Sequence, residues 1–230
     1  MKMQKFPTLF RAVAVLAAAT GMASPSHAAP PTAAKLEAAR SLISQKNISD
    51  MVKELSSPAY DGRLPGTAGD AASRDYIIGL FKSLKLKPAG TAGYLLPFTT
   101  TITQSDGEDG PANPQLGRTA QTSNIIGVLP GNDPLLRKEV ILISGHRDHL
   151  GHTPKGVPYA GANDDASGVA AMVELARAFS KLKTNNKRTI MFVAFGAEEQ
   201  AYMGSMYQAA NPVPAAPNAN IVLVISIDMI

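Results

Sequence analysis

Three continuous apolar runs in the second half of the chain, Glu139–Ser144, Thr189–Phe195 and Asn220–Ile230, limit the fold more than any other feature. Runs of that length without helical spacing are how strands buried on both faces read. Between the first two, residues 166–182 place Val169, Met172, Val173, Leu175, Ala176 and Phe179 on one helical face. A shorter helix near Gly204–Ala210 ends before Pro212 and leads to the third run. This strand–helix–strand–helix–strand rhythm predicts an α/β fold: a mixed, mainly parallel central sheet with helices on both faces.

The first half is more irregular. Apolar residues between Ala33 and Leu55 recur at helical spacing, and Asn47 or Ser49 is placed to cap a second helix. Ser56–Gly69 reads as a loop with turn chemistry at Asp61-Gly62-Arg63 and Pro65-Gly66-Thr67. A helix over about Gly69–Leu84 follows, then a strand within Tyr94–Thr103. Gln104–Gln121 reads as an exposed loop, and Ser123–Leu129 as a short strand.

Residues 1–28 stand apart from this pattern. Lys2, Lys5 and Arg11 precede a short apolar core at Ala12–Ala23, and Ser26-His27-Ala28 offers small residues for cleavage after Ala28. That is the layout of a secretory signal peptide, too short in its apolar part to span a bilayer. The organisation expected is therefore a signal at 1–28, a lead-in and helix at 29–47, and one catalytic domain at 48–230. The mature chain is expected in the periplasm or outside the cell, without stable membrane insertion. Removing the three positive charges of the signal takes the formal +4 to +1, so no basic stripe remains to suggest nucleic acid. With no cysteine, disulfides and thiolate ligands are excluded, and any metal must be held by histidine and carboxylates.

Such groups stand at the ends of the apolar runs. His146 and Asp148 follow the first, Glu198 and Glu199 follow the second, and Asp228 lies within the third. Asp164 sits in the loop entering the helix after the first run. Ligands of open α/β sheets bind outside the carboxyl ends of the strands, so these points are expected to converge. Taken singly, each has a plainer reading. Asp164 and Asp165 could cap a helix, and Glu198-Glu199 could be an acidic first helical turn. Asp228 is harder to dismiss, because a carboxylate inside a buried apolar run is costly without a partner. One imidazole with several carboxylates suits zinc or a neighbouring divalent ion.

At these residues the chain resembles the di-zinc exopeptidases of metallopeptidase family 28, which include bacterial leucyl-type aminopeptidases and glutamate carboxypeptidases. The matching segments are Gly-His-Arg-Asp-His-Leu-Gly at 145–151, Gly-Ala-Asn-Asp-Asp-Ala-Ser-Gly-Val-Ala at 161–170 and Phe-Gly-Ala-Glu-Glu-Gln at 195–200. Gly-Ser-Met-Tyr at 204–207, Ile-Asp-Met at 227–229 and, upstream, Asp-Gly-Arg-Leu-Pro-Gly-Thr at 61–67 add to them. The resemblance implies a zinc-exopeptidase-like fold and metal ligands His146, Asp164, Glu199 and Asp228. It makes Asp164 the bridging ligand, followed by a peptide bond that is often cis. It makes Asp148 the carboxylate that orients His146, and Glu198 the general base. The implied reaction is attack of bridging water on a terminal peptide bond, with zinc polarising the carbonyl.

The resemblance also carries a departure. The family's second zinc takes a histidine from a loop downstream of the Ile-Asp-Met strand, and this chain has no histidine after His152. The expectation is a complete first site, a second holding only Asp164 and Glu199, and a domain whose last strands and helices are missing. His149 and His152 are available as substitutes, although the family pattern gives neither that role. The expected function is an exported zinc aminopeptidase acting on peptides, impaired by the missing ligand. A dipeptide carboxypeptidase or a non-catalytic relative that binds a partner are the alternatives. Carboxylate capture calls for Arg or Lys, and Arg147 supports neither choice.

Overall fold

The computed structural model describes residues 33–103, 116–153, 155–182, 186–216 and 220–230. Residues 1–28, expected to be a signal, and residues 104–115 of the expected loop lie outside the described residues. Two helices open the fold, α1 (Ala33–Arg40) and α2 (Gln45–Leu55), followed by a 3-10 segment at Pro58–Arg63 and α3 (Ala68–Ser83). Strands β1 (Lys87–Pro88), β2 (Leu95–Thr101), β3 (Thr119–Leu129) and β4 (Val140–His146) come next. The chain continues with α4 (Gly168–Leu182), β5 (Thr189–Phe195), α5 (Met203–Ala210) and β6 (Ile221–Ser226).

The sheet runs β1-β3-β5-β4-β6, with β2 also paired to β3. It is mixed. β4 pairs in parallel with both β5 and β6, whereas β3 is antiparallel to β1, β2 and β5. Parallel pairing thus dominates only the half that carries the site, because β2 returns directly along β3 instead of crossing over. That pairing also draws residues 119–121, expected in a loop, into β3: Thr101 faces Thr119 and Thr99 faces Gln121.

Alternation along the strands sends side chains into two cores. Ile125, Ile143, Phe192 and Ala194 pack with Met51, Leu55, Ile77, Phe81, Met172 and Val173 from α2, α3 and α4. Their neighbours Ile126, Leu142, Met191 and Val193 pack on the opposite face against Val213, Ala216 and, from α5, Tyr207. Helices therefore lie on both faces. Ser44, rather than Asn47 or Ser49, caps α2: its hydroxyl accepts from the Asn47 amide at 3.2 Å. The buried Glu174 of α4 decides this, accepting from the Ser44 amide at 2.9 Å and from Asn47 Nδ2 at 3.1 Å.

The last apolar run forms the expected strand, with its apolar surface open among the described residues. Val222, Leu223 and Val224 are 52%, 49% and 57% exposed. Among the described residues β6 pairs with β4 alone, and of residues 220–230 it is Ile221 and Ile227 that pack onto the two cores. Composition marks a strand as apolar, but burial also needs something to cover it. No helix among the described residues is long and apolar enough to cross a membrane.

Arg147 shows how β4 is anchored. It lies between two site residues, yet its side chain turns away from them and is 1% exposed. Nη1 donates to Asp70 Oδ1 at 2.5 Å and to Ser73 Oγ at 3.1 Å, while Nη2 donates to Thr122 Oγ1 at 3.0 Å and the Ser123 carbonyl at 2.9 Å. The guanidinium thus binds α3 and β3 to the end of β4. Asp70→Ala leaves this buried cation without its counter-ion, and is expected to destabilise the fold by about 3–5 kcal/mol. Denaturant unfolding followed by circular dichroism measures it, and a loss below about 1 kcal/mol would mean the pair is a solvated contact.

Candidate metal centre

The site grows from the carboxyl ends of the two central parallel strands, where loops must leave the sheet. His146 is the last residue of β4, 4% exposed, and its Nε2 points at acidic groups from three other segments. Asp164 Oδ1 lies 3.0 Å from it, Glu198 Oε2 3.7 Å and Asp228 Oδ1 3.8 Å. Glu199 sits next to Glu198 in the loop after β5, where its Oε1 is 2.7 Å from His149 Nδ1. All six residues singled out in the sequence therefore meet at one end of the sheet. His152 is separate, paired with Asp61.

Two buried carboxylates hold this arrangement, and neither needs to touch a ligand to do so. Asp148, 0% exposed, accepts from the Glu198 amide at 3.0 Å and the Glu199 amide at 3.2 Å, one with each oxygen. It fixes the loop after β5 to the loop after β4. Its Oδ1 also faces His146 Nδ1, but at 3.8 Å, too far for a hydrogen bond, and that nitrogen has no hydrogen-bond partner among the described residues. Asp165, also fully buried, accepts from the amides of His146 at 2.9 Å, Gly168 at 2.8 Å and Met229 at 3.3 Å. It joins the end of β4, the start of α4 and the segment after β6. A side chain at Gly168 would place its Cβ 2.3 Å from Asp165 Oδ1 and 2.5 Å from the Ile227 carbonyl, so only glycine lets these segments meet.

The histidine and carboxylate donors form two groups within mutual reach: His146 with Asp165 and Asp228, and His149 with Asp164 and Glu199. Asp165 is the weaker ligand of the first group, since its oxygens already accept three backbone amides. Asp164 is the better one, half-exposed and 3.0 Å from His146 Nε2. Asp164 thus lies between the groups, and the peptide bond that follows it is cis. Helix capping describes only part of Asp165, because its Gly168 bond is one of three.

Electrostatics say what is wanting. Burial pushes the His146 imidazole down, but Asp148, Asp165 and Glu198 outweigh it and raise the group to about 10. Desolvation raises Glu198 to about 7; His146 opposes this, and Asp148, Glu199 and Asp228 add to it. An acidic cluster that draws a proton onto a buried imidazole is one that would also hold a cation. Hard oxygen donors with imidazole fit zinc. Beside His146, Glu198 and Asp228 opens a cleft of about 160 Å³, walled by Phe195, Tyr202 and Ser205.

Arg63 is a further constituent, to which the reading of the sequence gives no role. Three successive left-handed residues, Asp61 (φ 51°), Gly62 (φ 64°) and Arg63 (φ 49°), turn its side chain inward. Its guanidinium donates to the carbonyls of Arg147, Leu55, Ala160 and Gly161 at 2.6–3.0 Å, holding the loop that carries Asp164 against the end of β4. Burial lowers Arg63 to about 10, while Asp148, Asp165 and Asp164 favour its charge. The segment 61–67 carries part of the resemblance but gives Arg63 no role, and an arginine between two turn-forming pairs usually means an exposed loop.

Residues 124–230 match the model of Peptidase family M28. Over 211 residues, 90% of this chain and 41% of the relative, the sequence is 33% identical to Leupeptin-inactivating enzyme 1 of Streptomyces exfoliatus. It is 34% identical over 90 residues to Aminopeptidase YwaD of Bacillus subtilis, covering 39% of this chain and 18% of that one. Among solved structures, the LapA aminopeptidase of Legionella pneumophila shares the fold with a TM-score of 0.60 at 20% identity, over 87% of this chain and 46% of that one. The chain spans less than half the length of each of these proteins. With the motifs at the sheet end and the donor set around His146, these matches identify residues 124–230 as a domain of peptidase family M28.

Proposed function

We propose that the chain belongs to an exported, zinc-dependent aminopeptidase that removes residues from the free amino end of peptides. The observation that carries this reading is the convergence of His146, Asp164 and Asp228 with Glu198 beside an open cleft. His146, Asp164 and Asp228 would hold one ion, and Asp164 with Glu199 would contribute to a second. When bound, zinc supplies Lewis acidity, polarising a carbonyl and making water nucleophilic near neutral pH.

The chain's own groups do the remaining work. Glu198 faces the cleft from the loop after β5, with its carboxyl raised toward neutrality, as suits a group that takes a proton from water and returns it to the leaving amine. Asp148 keeps Glu198 and Glu199 in register with His146 through their amides. Charge in the cleft favours an amine over a carboxylate. Among the described residues that line it are Glu198 and Asp228, and no Arg or Lys. Arg147, the nearest cation in sequence to His146, is committed to Asp70.

Export rests on the basic, apolar and small-residue segments of residues 1–28. Protein secreted from a bacterial host is expected to begin at Ala29, as N-terminal sequencing would read.

Aminoacyl-anilide hydrolysis by the zinc-loaded protein tests the activity. Turnover of the free-amine substrate and none of its N-acetyl form is expected; the reverse, or cleavage only beside a free carboxylate, would replace this reading by the carboxypeptidase one. Glu198→Gln is expected to lower kcat about 100- to 10,000-fold with zinc content unchanged. Asp148→Ala, which frees the amides of Glu198 and Glu199, is expected to weaken zinc binding about 10- to 100-fold, read by titration calorimetry.

A further inference from the structure

We infer that Arg63 is a positioning residue of the metal centre, its guanidinium fixing the distance between His146 and Asp164. This rests on the zinc-peptidase reading and deepens it. His146 and Asp164 stand on different segments, the end of β4 and the loop before α4, with Nε2 of one 3.0 Å from Oδ1 of the other. Arg63 Nε donates to the carbonyl of Arg147, the residue after His146, at 2.8 Å. Nη2 donates to the Gly161 carbonyl at 2.8 Å and reaches that of Asp164 itself at 3.5 Å. Nη1 donates to the Ala160 carbonyl at 3.0 Å and to that of Leu55, at the end of α2, at 2.6 Å. All three nitrogens of one rigid plane are thus spent on backbone beside the two site residues and on α2.

The seat is shaped for this side chain. Gly161 is left-handed (φ 53°), and a Cβ there would lie 2.4 Å from Nη2, so glycine lets the loop close on the guanidinium. At Gly62 a Cβ would lie 1.9 Å from the Gly151 carbonyl, so the turn that carries Arg63 lies flush on the loop after β4. The Gly151 amide donates to the Gly62 carbonyl at 2.9 Å, and the His149 amide to the Arg63 carbonyl at 3.3 Å. Met51 and Leu55 of α2 share a core with Ala166, two residues beyond Asp164, which gives the clamp a fixed base. A lysine ammonium presents its donors from a single atom and cannot span carbonyls on both sides. Charge and position make opposite demands here. Asp148, Asp165 and Asp164 favour the charge on Arg63, so the guanidinium lies in the acidic field that would hold zinc and by charge alone competes with it. Removing it tightens zinc binding if charge is its whole effect, and weakens binding if it sets the spacing of His146 and Asp164.

The experiment measures zinc affinity of the full chain by competition with a chelator, with circular dichroism to establish folding. It compares the unsubstituted protein with Arg63→Met, Arg63→Lys and Leu96→Ala, the last a truncation in the core on the other face of the sheet. Arg63→Met is expected to weaken zinc binding about 10- to 100-fold, although it removes a positive charge. Arg63→Lys, which keeps the charge and loses the fork, is expected to weaken it as well. Leu96→Ala lowers stability and is expected to hold zinc affinity within about 3-fold, as a distant and independent site should. With cobalt in place of zinc, the visible absorption is expected to change in both Arg63 variants and not in Leu96→Ala. A folded Arg63→Met that binds zinc equally or more tightly would overturn the inference and leave charge as the only effect. Equal weakening in Leu96→Ala would overturn it too, since lost stability alone would then account for the result. Failure of both Arg63 variants to fold would assign the guanidinium to the scaffold and overturn it. Absence of zinc binding in the unsubstituted chain would instead overturn the zinc-peptidase reading on which it rests.

Discussion

Two carboxylates that are wholly out of water hold the functional end of this molecule together. Asp148 and Asp165 are 0% exposed, and between them they accept five backbone amides from segments far apart in the chain. Burying a charge without such partners would cost several kcal/mol, on the order of the net stability of a domain. The backbone must therefore come to them: the loop after β5 to Asp148, and the ends of β4, α4 and β6 to Asp165. Four of these amides belong to, or stand beside, a residue that faces the centre, and the fifth, that of Gly168, opens α4.

Two arginines complete the arrangement from behind. Arg147 and Arg63 are each 1% exposed, and both reach across elements rather than into the cleft. Arg147 joins β4 to α3 and β3; Arg63 joins the left-handed turn at Asp61-Gly62-Arg63 to the loop bearing Asp164. These buried cations lie near a dense group of acids and partly offset it. The offset is incomplete where His146 faces Asp164, Glu198 and Asp228, and that is where a metal ion belongs. An acidic cluster balanced in full by arginine would have no use for one.

Much of this was legible beforehand. Thr189–Phe195 is the same strand in the sequence and in the structure, because a seven-residue apolar run with turn residues on both sides has few alternatives. The motif residues His146, Asp148, Asp164, Glu198, Glu199 and Asp228 do meet, since strand ends in an α/β sheet have only one end at which to gather. Other features were not legible. Ser44 caps α2 because Glu174, 130 positions away, accepts its amide. Residues 119–121 become strand because β2 lies alongside, although their composition reads as loop.

By itself, the sequence determined the class of fold, the order of its strands and helices along the chain, and which acids and which imidazole could serve a metal. Periodicity and strand-end placement are local properties, so one dimension is enough to read them. Only the tertiary structure decided how those groups are used: that Arg147 faces away from the site while its neighbours His146 and Asp148 face in, that Asp165 is a tether more than a cap, and that His149 rather than His152 stands against Glu199. Each of these depends on a contact between residues tens of positions apart, and the energy of such a contact is set by burial and direction, which a linear sequence does not contain.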